Sequence, residues 1–130
     1  MIDVVTIRCD SFTANIYLPL FFRWPIGRAK KLFRLLQGGL YEGYLENVEA
    51  KEAIWTALED QAADAYKEWG RTSQVFSREW VDIDFLKRSG QPTRGVKSKN
   101  ASLLAEVKRA KATYERLEKL KKYFREIVND

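Results

Sequence analysis

Toward its C-terminus the chain carries an apolar stripe that leaves little freedom in how it can fold. Leu103, Val107, Ala110, Tyr114, Leu117, Leu120, Phe124 and Ile127 follow one another at steps of three or four residues. At 3.6 residues per turn this spacing places all eight on one side of an α-helix. A helix is predicted from an Asn100 cap to about residue 128, long enough to act as a spine. The steps approach a heptad with one skipped residue, so the stripe reads first as core packing and second as a dimer seam. Glu115 with Lys119 and Glu118 with Lys122 stand at the favourable i,i+4 spacing.

Two further amphipathic segments supply partners for that spine. Pro25 stands at a helix start and Gly38-Gly39 at its end, predicting a helix over residues 25–37 with Ile26, Ala29, Leu32, Phe33 and Leu36 on one face. Asn47 as a cap and Gly70 as a stop bound a second helix over 47–69. Its apolar face is Val48, Ile54, Trp55, Leu58, Ala62, Ala65, Tyr66 and Trp69.

Residues 4–10 and 14–20 alternate in period two and are rich in β-branched and aromatic side chains, which predicts a β-hairpin turning around residues 11–13. Pro19 marks the second strand as an edge. Two strands alone are marginal in water, so the hairpin needs helices, a third strand or another chain to lie on. Residues 73–87 satisfy either a helical face behind Ser73 or a strand through VDIDF; helix is the favoured reading. Residues 87–99 hold Gly90, Pro92 and Gly95 without apolar periodicity and read as a loop. The fold class expected is α+β and helix-dominated, with an N-terminal hairpin packed on three or four helices in a single domain over 1–130.

Composition narrows the chemistry. None of the 130 residues is histidine, which removes Ser-His-Asp and Cys-His arrangements and every imidazole metal ligand. Cys9 is the only cysteine, so there is no internal disulfide and no thiolate zinc site of two or more cysteines. It reads as a small buried hydrophobe. The longest apolar run, residues 16–22, is far short of the roughly 20 residues a membrane span needs. No signal-peptide pattern opens the chain, and a cytoplasmic location is the expectation. P-loop, zinc-finger, Rossmann and RNP patterns are absent.

The net charge of +5 is uneven. Residues 1–44 carry +3 and residues 45–70 carry −5, whereas 87–130 hold thirteen basic residues against five acidic, a net +8. Two basic groups are candidate contacts for an anionic partner. The first is Arg28, Lys30, Lys31 and Arg34 on the polar face of the 25–37 helix, beside Arg23, Trp24 and Tyr17. The second is Lys87, Arg88, Arg94, Lys97 and Lys99, continued by Lys108, Arg109 and Lys111. Asp60, Asp64 and Glu68 recur every four residues, a spacing that reads as a solvated acidic face before it reads as a metal site. Asp82 and Asp84 form no acid–base pair that spacing alone can support.

These features point to a non-enzymatic binding protein without cofactor or metal, its partner a nucleic acid or a nucleic-acid-binding protein and not a membrane. A protein-directed inhibitor or accessory factor of a nucleic-acid-processing enzyme is the alternative, and a histidine-free ribonuclease the second. Self-association through the C-terminal helix or the hairpin edge is a further expectation.

Overall fold

The computed structural model describes residues 3–9, 12–37 and 44–128. Within them, β1 (Val4–Cys9) and β2 (Phe12–Tyr17) precede α1 (Leu18–Phe21), α2 (Ile26–Gln37), α3 (Tyr44–Glu79), α4 (Ile83–Arg88) and α5 (Val96–Val128). This is the helix-dominated α+β architecture, with an antiparallel hairpin at one end of the sequence and a long helix at the other. The chain divides into two compact units, Met1–Ala62 with Arg116–Asp130, and Ala63–Glu115. No described helix is long and apolar enough to cross a membrane.

In the first unit β1 and β2 pair in a register that sets Val4 opposite Tyr17 and Val5 opposite Ile16. Side chains alternate across a strand, so Val5, Ile7 and Ile16 turn inward and are buried while Val4 and Tyr17 face out. The second strand ends three residues earlier than its pattern suggests. Leu18–Phe21 is a short helix with Pro19 in its first turn, where the missing N–H has no helical partner to lose. Leu18 is therefore buried by a helix rather than a strand, and Leu20 is exposed. Phe12 and Thr13 belong to β2, and the rest of the expected turn lies outside the described residues.

The core of this unit is aromatic and aliphatic. Phe21, Phe33, Leu36, Ile54, Leu58, Leu120 and Phe124 are fully buried, as the stripes of the three helices require. Phe33 meets Phe21 and Phe124 edge-on at ring distances of 5.7 and 5.1 Å. Trp55 stacks on Phe124 at 5.6 Å. The half-buried Arg116 closes the α1–α2 turn by donating from Nε to the Phe22 carbonyl at 3.2 Å.

The second unit departs from the expected boundaries in three places. Gly70 does not stop α3, which runs on to Glu79. A glycine inside a helix costs about 1 kcal/mol, which the favourable helix formers and packed face on either side of it outweigh. Residues 73–87 are accordingly neither one helix nor a strand; their first half completes α3, and α4 begins at Ile83. Asp82 caps α4, its Oδ1 accepting from the backbone N–H groups of Asp84 at 3.0 Å and Phe85 at 3.3 Å. The expected loop is mostly helical: only residues 89–95 separate α4 from α5, which starts at Val96 and not at Asn100.

Both ends of that connection depend on glycine. Gly90 has φ 71°, and the N–H groups of Gly90 and Gln91 donate to the carbonyls of Lys87 and Leu86, a Schellman ending. Gly95 has φ 79° and its carbonyl accepts the N–H of Lys99 as α5 begins. Asn100 is buried and serves the chain elsewhere than at a cap. Its Nδ2 donates to the Val81 carbonyl at 2.7 Å and its Oδ1 accepts the Val81 N–H at 3.1 Å, pinning the α3–α4 connection to α5.

Two consequences are measurable. Gly90→Ala and Gly95→Ala meet no neighbouring atom, so each loses about 1–2 kcal/mol from the left-handed backbone alone, whereas Gly70→Ala, also unobstructed, gains about 0.5–1 kcal/mol; urea denaturation separates the signs. Asn100→Ala strips both polar groups of Val81 of their partner, costs about 1–3 kcal/mol, and accelerates hydrogen exchange at the Val81 amide.

Candidate nucleic-acid interface

The basic residues of the first unit stand mostly on aromatic rings of their own chain. The Arg28 guanidinium lies 3.9 Å from the Trp24 ring centroid, and the half-buried Lys30 places its ammonium 3.9 Å from that of Tyr123. Arg125 and Lys121 approach Trp55 at 4.9 and 5.7 Å. Each such contact contributes about 0.5–1 kcal/mol and covers a ring face. Arg23, Lys31 and Arg34 are exposed, and among the described residues none of them lies over an aromatic ring. On the α2 side, Trp24 and Tyr123 are thus already occupied by cations of the chain, while Tyr17 on the hairpin is exposed.

In the second unit, Lys87 and Arg88 sit in the last turn of α4, Arg94 in the connection, and Lys97 and Lys99 in the first turn of α5. All five are exposed, and none forms an ion pair among the described residues. Arg88 donates from Nε to the Asp84 carbonyl at 3.3 Å. Farther along α5, Lys108 is exposed, and Lys111 pairs with Glu115 at 3.8 Å while lying 5.9 Å from the Trp69 ring.

The later part of α3 and the earlier part of α5 run antiparallel here, Trp69 meeting Tyr114 while Val81 meets Asn100. The buried line between them is Ala65 and Thr72 from α3 and Leu103 and Ala110 from α5. At about 100° per residue the side chains flanking that line fall into two sets. On one face Glu68, Arg71, Glu106, Arg109 and Thr113 surround a cavity of about 280 Å³. On the other, Tyr66, Trp69, Ser73 and Phe76 of α3 and Trp80 just past its end recur at steps of three or four residues, and Lys97, Leu104, Lys108, Lys111 and Glu115 fall on the corresponding flank of α5.

Ring contacts place the aromatic members of this second face. Tyr66 lies 6.2 Å from Trp69 and 5.5 Å from Tyr114, and Phe76 lies 6.4 Å from Trp80. Tyr66 is 59% exposed, Trp80 48% and Leu104 42%. Charge in the sequence singles out Lys97, Lys108 and Lys111 but not the aromatic row. The signal was the spacing 66, 69, 73, 76, 80, which becomes visible once α3 is carried through Gly70.

The acidic row dissolves as a unit. Asp60 and Asp64 are exposed, and Glu68 is taken by Arg71, whose Nε and Nη2 donate to its two oxygens at 2.9 and 2.5 Å. Among the described residues no group of three or more potential metal ligands converges. Asp82 is occupied in capping α4, with Asp84 in the first turn where the helix dipole favours it. The Cys9 side chain lies outside the described positions. Comparison with known proteins finds no matching family model, no similar curated protein and no similar solved structure.

The hydrogen bonds from Arg71 hold the Glu68 carboxyl below the usual carboxylate range, and the same pairing raises the Arg71 guanidinium. A depressed carboxylate stabilises the fold above its unfolded-state value and loses that contribution as pH falls through the folded one. Arg71→Ala should therefore move the Glu68 titration midpoint upward, read by carboxyl carbon NMR.

Proposed function

We propose that the protein is a non-enzymatic binder of nucleic acid, using the face of the second unit on which the lysines of α5 run beside the aromatic row of α3. The observation that carries this reading is the presence in one unit of exposed Tyr66 and Trp80 and of exposed lysines on α5, of which Lys111 lies 5.9 Å from the Trp69 ring. Phosphates reward cations by releasing condensed counterions, and ring faces left open to water reward stacking by bases. Lys87, Arg88, Arg94 and Lys99, exposed at the α4–α5 connection, extend the positive field at one end of this face.

A second reading assigns the same face to a protein partner, the alternative in which the chain inhibits or assists a nucleic-acid-processing enzyme. It draws support from Leu104, an exposed apolar side chain set among the lysines, since an apolar patch with a polar rim is the mark of protein interfaces. Fluorescence anisotropy with labelled oligonucleotides over a range of salt separates the two. The nucleic-acid reading expects affinity that falls linearly on logarithmic axes with salt, with a slope reduced by about 0.7 for each of Lys97→Gln and Lys108→Gln if the bound form is single-stranded. Absence of binding at low salt, or binding indifferent to salt, overturns it.

A further inference from the structure

We infer that this face takes a single nucleic-acid strand, with bases stacked on Tyr66 and Trp80 and the backbone following the α5 lysines. The inference rests on the nucleic-acid reading above and adds the strandedness. In a duplex the base faces are stacked on one another and only edges and phosphates are offered, so exposed rings gain nothing from it. An unpaired strand brings both things this surface provides. Every base has a π-face, and stacking on an aromatic side chain is tolerant of sequence.

The dimensions fit a short strand. Tyr66 on α3 and Trp80 just past its end are fourteen residues apart, about 21 Å along the helix axis, and Lys97 and Lys111 are separated by the same interval on α5. With about 3.4 Å between stacked nucleotides on one strand, that span holds no more than about six. The outer flank of the aromatic row is low and carries no acid within this unit: Ala63, Gly70, Gln74 and Ser77 fall there, and nothing lies within 4 Å of the position a Gly70 Cβ would take. In the first unit Trp24, Trp55 and Tyr123 have cations of their own chain over them, and the exposed Tyr17 stands on the hairpin opposite Val4, with no second ring paired to it in the register.

The test uses the full chain, with single-stranded DNA and RNA oligonucleotides of two to twelve nucleotides and duplexes of matched length, followed by intrinsic tryptophan fluorescence and by anisotropy. The expected result is quenching by single strands of either sugar, affinity that rises with length and levels off near six nucleotides, and duplex binding at least tenfold weaker. Tyr66→Leu and Trp80→Leu should each weaken single-strand binding about tenfold, and Tyr66→Phe and Trp80→Phe should restore most of it; circular dichroism establishes that each variant is folded. Duplex binding equal to or tighter than single-strand binding overturns the inference and leaves the nucleic-acid reading standing. Single-strand binding that the leucine variants leave intact does the same. Binding to neither form overturns both.

Discussion

Phe124 projects from α5 onto Phe33 of α2 and Trp55 of α3, and the rest of the first unit is arranged around that meeting. The hairpin, which could not stand in water by itself, buries Ile7 and Val5 in the core of which those three rings are the centre. Among the described residues, all the large side chains that are fully buried belong to this unit. Truncating any of its aromatic members removes transfer free energy and leaves a cavity, a combined effect of about 3–5 kcal/mol, comparable with the whole stability of an ordinary domain.

The second unit is held by other means. Its buried line consists of Ala65, Thr72 and Ala110, small residues that contribute little apolar area, with Leu103 the one large aliphatic side chain among them. Order there comes from directional contacts: Asn100 on Val81, Asp82 on the start of α4, the glycine endings at 90 and 95, and the Thr72 hydroxyl on the Trp69 carbonyl. A helical pair that buries mostly small residues between its elements leaves its large aromatic side chains at the rim, where Tyr66 and Trp80 are found. The exposed aromatic row and the thin core are thus two aspects of one packing choice.

Charge is distributed in keeping with that division. In the first unit cations and rings satisfy one another, as Arg28 does with Trp24 and Arg125 with Trp55. In the second, among the described residues, Lys97 and Lys108 are exposed and form no ion pair, and Tyr66 and Trp80 are exposed with no cation over either ring. The same ingredients, basic and aromatic residues in one helix pair, therefore carry a functional argument in one unit and a structural one in the other.

Sequence alone determined the helix-dominated α+β class, the hairpin, and most of the buried faces of α2, α3 and α5, because apolar periodicity is a local property that survives any choice of partner; Tyr66, expected on the apolar face of α3, is the exception and is exposed. It also identified which residues carry positive charge. Tertiary structure decided what periodicity leaves open. Gly70 lies inside a helix because a local cost of about 1 kcal/mol is small against packing on both sides of it. Residues 73–87 are divided at Trp80 because Asp82 caps one helix while Asn100, nineteen residues away, takes the backbone groups that the other releases. Lys30 is committed to Tyr123 and Lys97 is not, a distinction of distance between side chains far apart in the chain, which no spacing in the sequence records.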